Sequence, residues 1–142
     1  MANGTAFGLT TPDGRRPRVA VVCGNVADAA VTIMLAEQFG TACYAAQSGE
    51  GALALLRRDP IDLVLLDLAL PDMDALVALQ LIRALGARGA MPVVAIAETA
   101  EAGAPGRAAG FAGTVARPFS PRELYAAMQA ALARASAAAG IR

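Results

Sequence analysis

Short, wholly apolar runs alternate along the chain with longer stretches in which apolar residues recur at helical spacing. Val19-Ala20-Val21-Val22, Leu63-Val64-Leu65-Leu66 and Val93-Val94-Ala95-Ile96 are apolar at every position. That is the pattern of strands covered on both faces of a parallel sheet, whereas a half-exposed sheet would alternate apolar and polar residues. In order, the pattern predicts a strand at 18–23, a helix at 28–39, a strand at 41–45, a helix at 49–58 and a strand at 63–67. After a loop at 69–74 it predicts a helix reaching 87, a strand at 92–97, a helix near 100–110, a strand at 113–116 and a closing helix. Strands that alternate with helices in this way define an α/β fold, a (βα)5 unit with a doubly wound parallel five-stranded sheet.

Local signals sharpen the two ends. The closing helix starts with Ser120 as N-cap, Pro121 at the first helical position and Glu123 three residues after the cap, a reciprocal capping arrangement. Its apolar stripe includes Leu124, Met128, Ala131 and Leu132. The helix near 100–110 contains Gly103, Pro105 and Gly106, each of which disfavours a regular helix, so a short or irregular element is expected there. Residues 1–17, with Gly4, Gly8, Pro12, Gly14 and Pro17, have no sustained period and read as an irregular N-terminal extension. The domain is expected to occupy 18–135, leaving 136–142 as a tail or the start of a linker. A chain of 142 residues supports one core of ordinary size.

Composition narrows the functional classes. With 56% apolar but only 4% aromatic residues, the core must be built from Ala, Val and Leu between closely packed elements. All twelve basic residues are Arg and twelve acidic residues balance them. That balance lacks the concentrated field of a nonspecific nucleic-acid binder, so no nucleic-acid partner is expected. Cys23 and Cys43 fall in strand-like surroundings and read as buried thiols in a reducing, cytoplasmic setting. No run of about 18 apolar residues and no basic segment followed by an apolar one appears, so no membrane partner is expected.

In an open parallel sheet, ligands bind beyond the carboxyl ends of the strands. The first strand delivers Cys23, Gly24 and Asn25 there, the third Asp67, the fourth Ala97 and Glu98, and the fifth Arg117 and Pro118. Asp67 is pinned by a buried strand, and Arg117 could pair with it across the crevice. The chain has no His, so Cys23 lacks a base and reads as core. Asp72 and Asp74 lack the ligand run of a Ca²⁺ loop and read as turn residues. Asp28 reads as an exposed residue of the first helix. No nucleophile–base pair or cofactor motif can be assembled at these strand ends, so enzymatic activity is not expected.

The run from Asp62 to Asp67, followed by Leu70-Pro71-Asp72-Met73-Asp74, resembles the phosphoacceptor segment of the receiver domain of two-component response regulators. Pro92 to Ile96 resembles that family's fourth strand, and Gly110-Phe111-Ala112-Gly113 with Arg117-Pro118-Phe119-Ser120 resembles its fifth strand and the turn after it. The resemblance covers about 18–135. It implies flavodoxin-like topology with strand order 2-1-3-4-5 and a role in phosphorelay signal transduction. It further implies a histidine kinase, phosphotransfer protein or other signalling domain as partner, with Asp67 at the position that accepts a phosphoryl group. It also suggests a cis bond before Pro118.

The other functional positions depart from the family. Cys23 and Gly24 stand where an acidic pair would hold Mg²⁺, a cation that prefers oxygen donors, so weak or absent Mg²⁺ binding and no other cofactor are expected. Ala97 replaces the switch hydroxyl, Glu98 a small residue, Arg117 a lysine and Thr114 an aromatic. The expected protein is a degenerate receiver, or pseudoreceiver, in which Arg117 pairs with Asp67 or Glu98 and the surface near the fourth strand and last helix meets a partner. Two other readings remain open. One is a slow receiver phosphorylated on Asp67; the other is a domain that binds an anionic nucleotide through Arg107, Arg117 and Arg122.

Overall fold

The structure is a computed structural model that describes residues 8–99 and 110–140, with side chains as far as Ala135. Five strands, β1 (Arg18–Val22), β2 (Ala42–Ala46), β3 (Leu63–Asp67), β4 (Val93–Ala97) and β5 (Gly113–Ala116), form one sheet in the order β2-β1-β3-β4-β5. All four pairings are parallel. The helices are α1 (Val26–Gln38), α2 (Gly49–Arg58), α3 (Ala75–Arg83) and α4 (Pro121–Gly140), with a 3-10 turn at Gly86–Gly89. Fold class and strand order are as the sequence led us to expect.

Strand periodicity divides the core into two layers. Ala20, Val22, Val64, Leu66, Val93 and Ala95 face α2 and α3, where Leu53, Leu56, Leu79 and Ile82 cover them. Val19, Val21, Leu63, Leu65, Val94 and Ile96 face the other way, against Ala36 of α1 and Leu124 and Met128 of α4. Each fully buried Val or Leu contributes about 1.5–3 kcal/mol by leaving water. β3 is buried along its whole length, so the position of its last residue, Asp67, is fixed by packing.

Caps set the helix starts. Asn25 Oδ1 accepts from the Asp28 amide at 2.9 Å, so α1 begins at Val26 rather than at 28. Ser48 Oγ accepts from Gly51 N–H at 2.9 Å and Asp74 Oδ1 from Leu76 N–H at 2.7 Å. The reciprocal cap expected at α4 is present: Ser120 N–H donates to Glu123 Oε1 at 2.7 Å and Glu123 N–H to Ser120 Oγ at 3.1 Å.

Several boundaries differ from the sequence reading. α3 stops at Arg83 instead of reaching 87, and the turn that follows has Gly86 at φ +71°, a left-handed conformation suited to glycine beyond a helix end. The segment taken as a tail continues α4 through Gly140, as its run of alanines, the strongest helix formers, favours. The irregular helix expected near 100–110 falls on residues 100–109, outside the described residues.

The N-terminal extension is irregular over residues 8–17 but is packed onto the domain. Leu9 and Thr11 are buried, and Leu9 N–H donates to Phe39 O at 2.8 Å. Asp62 joins the same end of the molecule, accepting from Arg18 N–H at 2.8 Å and from Arg15 Nη2 at 3.3 Å. Among the described residues no helix is long and apolar enough to cross a membrane.

Candidate functional site

Asp67 is 4% exposed at the carboxyl end of β3, and both of its carboxylate oxygens are engaged. Oδ1 accepts from Ala69 N–H at 2.8 Å. Oδ2 lies 2.9 Å from Arg117 Nη2 and 3.3 Å from the Cys23 thiol. Cys23 leaves β1, the direct neighbour of β3, whereas Arg117 leaves β5 and reaches Asp67 past the end of β4. Ala97 closes β4 and is buried. The backbone of Arg117 is held by its N–H to Ala97 O at 2.8 Å, and the bond from Arg117 to Pro118 is cis.

The guanidinium meets a second carboxylate. Arg117 Nε is 3.8 Å from Asp28 Oδ2, with the two side chains 15% and 41% exposed. Burial is the largest single influence on Arg117 and pulls its pKa down. The charge and hydrogen bond of Asp67, with Asp28 and Cys23, outweigh it and leave the pKa above its ordinary value. Arg117 is therefore a permanent cation here. Its Nη1 is buried with no hydrogen-bond acceptor among the described residues.

Burial above all, and the neighbouring Asp67 carboxylate, push the Cys23 thiol above its ordinary 9.0, against a lowering contribution from the Asn25 backbone. The thiol stays protonated at neutral pH, and its one proton has two acceptors, Asp67 Oδ2 and Asn25 O at 3.4 Å. Cys23 is thus a donor to Asp67.

The remaining sequence candidates are distributed around this pair. Glu98 is exposed, and among the described residues Arg117 forms its ion pairs with Asp67 and Asp28, not with Glu98. Gly24 is exposed just after β1, where an added Cβ would sit 3.0 Å from Pro71 Cδ. Pro118 is exposed and Thr114 half-buried on β5. Asp72 and Asp74 act in turns and caps: Asp72 Oδ1 and Oδ2 accept from Gly49 N–H and Glu50 N–H at 2.9 and 3.0 Å. Arg107 lies outside the described residues. Asp28 is at the surface of α1, as expected, with its side chain 41% exposed, but its part in the site was missed because a helix start at 28 overlooked Asn25 as the cap. That cap places Asp28 in the first turn of α1, at the carboxyl edge of the sheet.

The sequence profile described as the response regulator receiver domain matches residues 25–129. The chain belongs to that family. No curated protein matches it in sequence. Among solved structures it is similar to the chemotaxis response regulator CheY4 of Vibrio cholerae, at 21% identity and TM-score 0.73, over 80% of this chain and 97% of that one. It is similar to a putative response regulator from Chloroflexus aurantiacus at 24% identity and TM-score 0.78, over 84% and 100%. A third likeness is to the receiver domain of the sensor histidine kinase PA1611 of Pseudomonas aeruginosa, a structure with magnesium coordinated in its active-site cleft. There the identity is 24% and the TM-score 0.76, over 83% of this chain and 98% of that one. Identities this low establish the shared fold.

The donor set does not fit the magnesium that the family implies. Mg²⁺ requires a near-octahedral shell of oxygens. Here one of the two acidic positions holds a protonated thiol and the other has no side chain, while a guanidinium already contacts the remaining carboxylate. Among the described residues, no group of three or more His, Cys, Asp or Glu is arranged to hold a metal ion.

Proposed function

We propose that this receiver domain works as a phosphorylation-independent interaction module in two-component signalling, with Asp67 as a fixed structural anion. The observation that carries this reading is that Arg117, Cys23 and Ala69 N–H occupy both oxygens of the Asp67 carboxylate. A nucleophilic oxygen must be free to approach a phosphorus atom in line, with positive charge placed on the phosphoryl oxygens. At Asp67 the attacking oxygen is tied up, the hydroxyl donor is replaced by Ala97, and exposed Glu98 adds negative charge at the pocket mouth. The domain is then neither an enzyme nor a Mg²⁺-dependent switch. Its partner is a histidine kinase, a phosphotransfer protein or another signalling domain in the cytoplasm, with no nucleic acid or membrane bound by this domain.

The test is phosphotransfer. The full chain is incubated with Mg²⁺ and a phosphohistidine donor, or with acetyl phosphate, and acyl phosphate is sought by mass spectrometry. No modification of Asp67 is expected. Label that appears in the wild type and vanishes in Asp67→Asn overturns the reading in favour of a slow but working receiver.

A further inference from the structure

Asp28, Asp67 and Arg117 come from α1, β3 and the end of β5, and one guanidinium meets both carboxylates. Nη2 is 2.9 Å from Asp67 Oδ2 and Nε is 3.8 Å from Asp28 Oδ2. Nε and Nη2 lie along the same edge of the planar guanidinium, the edge that can serve two acceptors at once. Asp67 holds one end of that edge and Asp28 the other, while the opposite edge carries the buried Nη1, which has no partner among the described residues.

Resting on the reading of Asp67 as a fixed anion, we propose that the Arg117 guanidinium is the resident cation of this pocket, in place of a divalent metal, and that Asp28 is the positioning residue that holds it there. Three features of the site converge on this assignment. The cation is covalently part of the chain, so its local concentration does not depend on the medium. The residues that would have contributed oxygen ligands are a thiol that donates and a glycine that contributes no side chain. Finally, Glu98 follows β4 at the same edge of the sheet, yet the second ion pair of Arg117 is with Asp28 on α1, 3.8 Å from Nε. With Nε anchored, the side chain extends across the end of β4 with Nη2 at Asp67. Without that anchor, the guanidinium is free to turn about its long side chain and present either edge.

The test uses the full chain, with Mn²⁺ as a paramagnetic probe of the cation position and two NMR readouts. The first is saturable broadening of the Leu68 and Ala69 amides. The second is the solvent exchange rate of Arg117 Nε–H. In the wild type, millimolar Mn²⁺ is expected to give no saturable broadening; in Arg117→Gln the ion enters, with affinity at least about tenfold higher, because a cation in contact with Asp67 has been removed. In Asp28→Asn, Arg117 Nε–H is expected to exchange about threefold faster, the scale of a partly exposed ion pair, and Asp28→Glu to restore the slow rate.

Saturable Mn²⁺ broadening in the wild type that Arg117→Gln does not strengthen would overturn the proposal, as would an exchange rate unmoved by Asp28→Asn. The Asp28 arm remains decisive if Arg117→Gln fails to fold, since that carboxylate is on the helix surface. The two readings also fail separately. Phosphotransfer to wild-type Asp67 sinks the fixed-anion reading, while wild-type Mn²⁺ binding that Arg117→Gln does not strengthen, without phosphotransfer, sinks the resident cation alone.

Discussion

Arg117 Nη2 and Asp67 Oδ2 are 2.9 Å apart, with only 15% and 6% of the two side chains exposed, which ties the end of β5 to the end of β3 across β4. Breaking a buried pair from one side leaves a charge without its partner, whereas replacing both by apolar groups removes the desolvation cost with the attraction. Arg117→Met is therefore expected to lower stability by about 3 kcal/mol, the lower end of the range for such a break, because Ala69 N–H still serves Asp67. The double variant Arg117→Met with Asp67→Leu should recover much of that loss. Urea unfolding of the wild type, both single variants and the double variant measures the coupling directly; additive losses would show that the pair is not an energetic unit.

Cys23 and Arg117 together decide how the pocket responds to metal, since both contact Asp67 Oδ2. The Cys23 thiol donates to Asp67 Oδ2 at 3.3 Å, and Cys23→Asp would turn that donor into a second carboxylate. Two unit charges about 4 Å apart repel by on the order of 4 kcal/mol at the effective dielectric of a protein surface, before Arg117 offsets part of it. Cys23→Asp is expected to melt below the wild type in EDTA and to gain thermal stability on addition of MgCl₂. The wild-type melting temperature should not respond. Equal responses would mean that the thiol has no part in excluding the cation.

The same residues show what was and was not legible in the sequence. β3 was readable to the residue because a strand buried on both faces is apolar throughout, and Asp67 ends it by contrast. Arg117 could be placed at a strand end, but its choice between Asp67 and Glu98 depended on side-chain reach across β4, which no periodicity encodes. Asp28 was rightly placed on the helix surface, but its pairing with Arg117 was missed for a related reason. It is polar on a helix that leaves Val26, Val31 and Met34 exposed, so apolar pattern gave poor guidance to which face of α1 is inward. The α3 end moved because a single left-handed glycine outweighed a helical run, and residues 8–17, the described part of the N-terminal extension, contribute one large apolar core residue, Leu9, too little to form a period.

Asp72 holds the loop after β3 to the start of α2. Its carboxylate accepts from Gly49 N–H and Glu50 N–H, and these two bonds, first Gly49's, lower its pKa below the ordinary 3.8. A group whose folded pKa is depressed adds stability that is complete above its unfolded value and is lost as pH falls through the folded one. Asp72→Asn is therefore expected to melt below the wild type at neutral pH, with the gap closing as the pH is taken from above 3.8 down through the lowered folded value. Thermal melts across that range provide the check; a gap that is constant with pH would assign the effect to side-chain shape rather than to the carboxylate charge.

Leu9 gives the N-terminal arm an energetic role that its irregular backbone conceals. It is 5% exposed in the core layer shared by α1 and α4, and its N–H donates to Phe39 O at 2.8 Å. A buried Leu→Ala change costs 2–5 kcal/mol in well-packed cores, the larger losses occurring where the surroundings cannot relax. An arm without helix or strand can relax, so Leu9→Ala is expected to cost about 2 kcal/mol, with an unchanged denaturant slope if the rest of the domain still unfolds as one unit. Asp62→Asn, which weakens the ties from Arg15 Nη2 and Arg18 N–H at the same end, should shift the midpoint in the same direction. A leader that merely precedes the domain would leave both midpoints where they are in the wild type, so chemical unfolding of these two variants determines whether the domain begins at Arg18 or includes the arm from Gly8 onward.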